Sequence, residues 1–128
     1  MSTWNDVVTQ LTSQFGGQPV APTMIRFSGS TGGDAAPVDM FAGHEALQGP
    51  LGEWVTLQVP LGTYHELDFW KVMQAATPLV CGGVVVNGER LVLKHSARLE
   101  SLTPNDLTIA IYLLSGSARQ LSALRKTA

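Results

Sequence analysis

The stretch from Val80 to Ser96 constrains the fold more than any other part of the chain. Val84-Val85-Val86 and Leu91-Val92-Leu93 read as two apolar strands, and the dipeptide between them, Asn87-Gly88, tolerates positive φ at both positions. A two-residue type I′ turn there pairs Val86 with Glu89, Val84 with Leu91 and Gly82 with Leu93 on one nearly all-apolar face. The other face takes Val85 with Arg90, Gly83 with Val92 and Cys81 with Lys94, a mixed surface suited to solvent, a partner or a ligand.

A chain of 128 residues suits one domain, large enough to bury roughly two-thirds of its unfolded surface in a single core. Only 14% of the residues are charged, against about 25% in a typical soluble domain, while 45% are apolar. The surface is therefore thinly charged, covered partly by Gly, Ser and Thr and partly by an apolar surplus that suits a subunit interface. A formal charge of −2 and the lack of any basic cluster with interleaved aromatics argue against a nucleic-acid partner. No segment reaches the ~18 apolar residues of a membrane span, and Met1 to Asp6 lack the features of a signal peptide, so a cytoplasmic location is expected. The one cysteine, Cys81, excludes an internal disulfide and a cysteine-based zinc cluster, and its strand setting reads as a small buried hydrophobe.

Trp4, Val7, Val8, Leu11 and Phe15 fall at helical spacing behind Ser2 or Thr3 as N-cap, and Gly16-Gly17 stops the pattern. Pro19 and Pro22 make an extended lead into a short strand over Thr23 to Ser28. A flexible loop follows at Gly29 to Asp34, then a second strand at Val38 to Ala42 and another loop from His44 to Gly52. Glu53 to Leu61 alternates, with Val55, Leu57, Val59 and Leu61 on the core side and Trp54, Thr56 and Gln58 on the other. Thr63 with Glu66 forms a capping-box pattern that predicts a helix from about Tyr64 to Ala76, whose stripe is Phe69, Val72, Met73 and Ala76. Thr103-Pro104-Asn105-Asp106 opens the last helix, with Leu107, Ala110, Ile111, Leu114, Ala118 and Leu121 on one face and a bend expected at Ser115-Gly116-Ser117. The expected architecture is α+β, a twisted antiparallel sheet of about five strands with helices packed on it, in the order α-β-β-β-α-β-β-α.

The residues point to no catalytic chemistry, no cofactor and no metal. His44, His65 and His95 are scattered, with none at the i, i+4 spacing that puts two imidazoles on one helical face. The Gly29 to Asp34 loop lacks the Gly-Lys-Ser/Thr and following helix of a phosphate cradle, and no Gly-x-Ser-x-Gly marks a nucleophile elbow. Asp34, Asp39 and Glu45 are acids near loops without a defined pairing. The aromatic residues are the better lead: Trp54 lies on the polar side of its strand, and Trp70 falls off the main stripe of the second helix, both suited to an interface.

The element order and the C-terminal half resemble the type III secretion chaperone-like fold, shared by bacterial secretion chaperones and YbjN-type proteins. The resemblance rests on the helix Glu66 to Ala76, the run Gly82-Gly83-Val84-Val85-Val86-Asn87-Gly88 with Leu91-Val92-Leu93, and Ser96-Ala97-Arg98-Leu99 leading to Leu102 and the helix from Pro104. It implies a homodimer with a twisted antiparallel sheet that binds an extended partner segment on apolar patches, without turnover. The chain is accordingly expected to be a homodimeric module that holds a partner polypeptide, not an enzyme. Trp54, Phe69, Trp70, Val85 and Val92 are its candidate partner or dimer residues. The alternative is a small-molecule-binding regulator with a pocket between sheet and helices, bounded by the loops near Gly29 and His44.

Overall fold

The computed structural model describes residues 2–29 and 36–126. Three helices and six strands follow one another as α1 (Trp4–Phe15), β1 (Gln18–Ala21), β2 (Met24–Gly29), β3 (Val38–Ala46), β4 (Glu53–Thr63), α2 (Phe69–Ala76), β5 (Gly83–Asn87), β6 (Arg90–Arg98) and α3 (Pro104–Ser122). The class is α+β, with one fully antiparallel sheet ordered β1-β2-β3-β4-β6-β5. The additional strand, β1, occupies the proline-marked lead into β2. It is exposed along its whole length and carries Pro19, which an edge strand tolerates because one side of its ladder needs no donor.

Strict alternation sorts the sheet into two faces. Ile25, Phe27, Met40, Ala42, Val55, Leu57, Val59, Leu91 and Leu93 point to the helices and join Val7, Leu11, Leu107, Ile111, Leu114 and Leu121 in one core. The opposite face carries Arg26 paired with Asp39, Phe41, Gln58, Lys94 and Val85, and among the described residues no helix covers it. Val92 is buried on this open side without belonging to the core cluster, packed between its neighbours Pro60 and Val85 in the ladder.

The hairpin forms as expected, but its register differs from that of a type I′ turn. Val84 pairs with Leu93, Val85 with Val92, Val86 with Leu91 and Asn87 with Arg90. The two central residues are thus Gly88 and Glu89. Gly88 alone has a positive φ, 63°, which is the type II′ pattern with glycine first, so Asn87 remains in the strand. For Gly83 to Val86 the displacement changes every partner yet preserves both faces, because each partner moves by two; Gly82 and Cys81 fall outside the ladder, and Cys81, expected opposite Lys94 on the mixed face, is buried with the core.

Two boundaries also move. The Thr63–Glu66 reciprocal hydrogen bonds are present, at 3.3 Å for both Thr63 N–H to Glu66 Oε1 and Glu66 N–H to Thr63 Oγ1, but they close a turn and not a helix. Leu67, fully buried, bridges to Arg125, and its neighbour's N–H, on Asp68, donates to Leu124 O. The α2 helix therefore starts only at Phe69, with Asp68 as N-cap accepting from Lys71 N–H at 3.2 Å. In β3, His44, Glu45 and Ala46 continue the strand opposite Val55, Trp54 and Glu53, so the connection to β4 is a shorter loop with a 3-10 turn at Gly49–Leu51. The first and last helices start at their expected caps, each with a complete capping box, Thr3 with Asp6 and Thr103 with Asp106. The α3 helix runs unbroken through Ser115-Gly116-Ser117, the buried Ser115 hydroxyl donating back to Ile111 O at 2.7 Å.

Candidate functional site

The structure distributes the five residues singled out by sequence over three patches. Val85 and Val92 are cross-strand partners on the open face beside a shallow hollow of about 300 Å³ that Gln58, Asn87 and Lys94 also line. Of the two, Val85 is the accessible one. Trp54 lies near the other end of the same face, opposite Arg98, with its indole N–H fixed to Leu51 O at 2.7 Å. Phe69 and Trp70 stand edge to face on α2 in the helical layer, and Trp70 is 75% exposed.

A different place combines shape with unmet bonding capacity. The β6 strand is nine residues long and β5 only five, so pairing between them stops at Gly83 with Lys94. Gly82 is the cause. Its φ of 84° turns the chain out of the ladder, and a Cβ there would meet Leu114 Cδ2 at 3.0 Å and Lys94 O at 3.1 Å. Preceding it, Cys81 is buried on the core side, with burial pushing its thiol pKa up and keeping it protonated. Residues His95 to Arg98 consequently pair with Leu57 to Trp54 of β4 on one side and, among the described residues, with no strand on the other.

Under this edge lies a groove of about 230 Å³ between the sheet and the start of α3. Val55, Leu57 and Ala97 form its sheet wall, and Leu102, Leu107 and Ala110 its helical wall. His95, Arg98, Ser101 and Asp106 are its polar lining, and burial pushes the His95 pKa down, so that ring is neutral at pH 7. No hydrogen bond to that ring exists among the described residues. Asp106, at the groove's rim, is already engaged in the capping box with Thr103. On the outer side, Lys94, Ser96 and Arg98 project from the same strand onto the open face, with Ser96 bonded to Thr56 of β4 at 3.0 Å. The Arg98 guanidinium donates to Pro50 O at 2.8 Å and pairs with Glu100 at 3.3 Å, while its buried Nε has no acceptor.

Among the described residues, the side chains of Met40 and Ser115 occupy the space that a Cβ on Gly29 would take. His44 stacks on Trp4 with ring centroids 5.4 Å apart and bonds Glu53 at 2.8 Å. The glycine-rich segment 30–35 lies outside the described residues. The three histidines occupy β3, the turn before α2, and β6, and among the described residues no group of three or more His, Cys, Asp or Glu side chains is placed to hold a metal. No helix among the described residues is long and apolar enough to cross a membrane.

No protein-family model matches the chain, and no curated protein sequence matches it.

Sequence reasoning missed the β6 edge because it depends on where β5 stops, a consequence of Gly82's backbone and not of residue type along β6. It also passed over the outer face of α3. There Ile109, Tyr112, Leu113 and Gly116 follow the i, i+3, i+4, i+7 spacing opposite the buried stripe, a signal present in the sequence.

Proposed function

We propose that the chain is a non-catalytic, homodimeric polypeptide-binding module that takes an extended partner segment as an added strand along His95 to Arg98. The observation that carries this reading is the coincidence of a one-sided ladder with an apolar groove directly beneath it. In strand addition the main chain supplies affinity, and side-chain pockets supply choice of sequence. Successive side chains of an added strand alternate between faces, so every second one enters the groove while the others meet Lys94, Ser96 and Arg98. The favoured segment therefore alternates apolar residues with acidic or hydroxyl-bearing ones.

Size supports a side chain over a metabolite. The groove's volume of about 230 Å³ falls below the roughly 300–1,000 Å³ usual for small-molecule sites. The same mode of action, binding without turnover, is what the resemblance to type III secretion chaperone-like proteins implies. The reading goes with a cytoplasmic chain whose single thiol, Cys81, stays buried and protonated.

Selection from phage-displayed random linear peptides tests the reading, followed by fluorescence anisotropy of selected peptides on the wild type and on Ala97→Leu. The leucine fills the groove without removing any strand pairing. The expected result is recovery of alternating apolar and acidic peptides that bind the variant at least about tenfold more weakly, a loss of about 1.4 kcal/mol. Failure to enrich any peptide, or equal affinity for both proteins, would overturn it.

A further inference from the structure

His95 stands half-buried in the wall of the β6 groove, and its ring is the polar group there that the fold does not use. The other polar members of the lining are engaged. Asp106 Oδ2 accepts from Thr103 N–H at 3.3 Å, the Arg98 guanidinium holds Pro50 O and Glu100, and Ser101 Oγ donates to Arg98 O at 3.5 Å. Among the described residues nothing bonds the imidazole, so water or a guest must do so. A guest side chain that enters the groove displaces water from that ring, and an apolar one leaves its nitrogens unsatisfied.

We propose that His95 is a specificity-determining residue, selecting a guest segment that seats a tyrosine in the groove with its phenol hydroxyl bonded to the imidazole. This deepens the strand-addition reading and rests on it for the guest's main chain. Size and chemistry lead to the same side chain. A cavity of about 150 Å³ holds benzene, so the groove of about 230 Å³ admits one phenol-sized ring and not two. Val55, Leu57 and Leu107 supply apolar walls for that ring. Burial keeps the imidazole neutral, with one nitrogen donating and the other accepting. A hydroxyl also does both, so it bonds either tautomer. A carboxylate only accepts and would join Asp106 in the same lining, while an ammonium only donates and loses its water. Serine and threonine carry the hydroxyl but leave the walls unfilled, and phenylalanine fills the walls but leaves His95 unpaired.

NMR titration with 4-methylphenol and with toluene, the side-chain analogues of tyrosine and phenylalanine, tests the assignment without a peptide. It is run on the wild type, His95→Leu, His95→Gln and Ala97→Leu, with circular dichroism confirming that each variant folds. Transfer out of water alone favours toluene, so a preference for the phenol requires a bond. On the wild type, 4-methylphenol is expected to saturate the shifts of the Leu107 and Ala110 methyl groups at a concentration at least about threefold below that of toluene. The preference should reverse in His95→Leu and persist in His95→Gln, and Ala97→Leu, which fills the groove, should abolish binding of both. Tighter binding of toluene by the wild type, no saturable binding of 4-methylphenol, or a phenol preference that survives in His95→Leu would overturn the assignment. In peptides selected by display, replacing the groove tyrosine by phenylalanine should weaken binding to the wild type about tenfold and leave His95→Leu unaffected. Selected peptides without tyrosine would overturn the inference while leaving strand addition standing. The expected phenol preference with no peptide enriched would support the choice made by His95 and overturn strand addition.

Discussion

His95 is the titratable group whose surroundings most affect behaviour near neutral pH, because burial in the groove wall pushes its pKa below the ordinary histidine value. The unfolded chain takes up a proton near pH 6.5, whereas the folded chain resists doing so, so the unfolded state binds more protons below that pH. Stability is therefore expected to fall as pH drops from about 6.5 toward the lowered folded-state value, and to be unaffected by this group above about 7.5. Thermal melts between about pH 5 and 8 check this: His95→Asn should flatten the acid-side decline, and an unchanged slope would contradict it. Glycines offer a second residue-scale test. Gly82 and Gly88 both have positive φ, but a Cβ at Gly88 meets nothing while one at Gly82 meets Leu114 and Lys94. In urea unfolding, Gly88→Ala is expected to lose about 1 kcal/mol and Gly82→Ala about 2–3 kcal/mol, the difference being steric. At this scale the sequence was readable wherever a residue had one role. Val55, Leu57, Val59 and Leu61 are all buried as their alternation implies, and Cys81 is buried as a small hydrophobe, though on the core side and outside β5 instead of opposite Lys94. The conformation of Gly82 was not readable, since nothing in its neighbours demands a left-handed backbone.

Among the elements, helices with one dominant cap were placed correctly and the helix with two rival caps was not. Thr63 and Glu66 make the bonds their spacing advertises, but buried Leu67 and its bridge to Arg125 hold the next residues away from helical geometry, leaving Asp68 to start α2. Asp68→Ala should accordingly cost about 1 kcal/mol in urea unfolding, as Thr103→Ala should at the start of α3. An Asp68→Ala variant with wild-type stability would count against a helix that begins at Phe69. The hairpin illustrates another boundary of local reasoning. Asn87-Gly88 favours type I′, yet pairing of Asn87 with Arg90 adds a rung to the ladder and moves glycine to the first central position of the turn. Which side chains face the core was legible, because faces depend on parity alone. Which partners they meet was not, because partners depend on where the turn is centred. The length mismatch between β5 and β6, which creates the open edge, belongs to this same class of non-local outcome.

At the scale of the whole molecule, the low charge and apolar surplus read from composition have visible locations: the outer face of α3 with Phe69 and Trp70, and the uncovered side of the sheet. The Lys94 charge on the open face beside the β6 edge makes a further expectation. Binding of a selected acidic peptide should weaken several-fold between about 0.05 and 0.5 M salt, since the Lys94 charge lies at the surface and is screened there. The polypeptide-binding reading turns on whether a guest main chain completes the ladder at His95 to Arg98. Amide hydrogen exchange followed by NMR, with and without a selected peptide, measures this directly. In the free chain, amides of that segment directed away from β4 are expected to exchange fast while those of Leu91 to Leu93 stay protected on both sides. On addition of the peptide the fast amides should become protected, and protection confined to other strands, or no change along β6, would contradict the account.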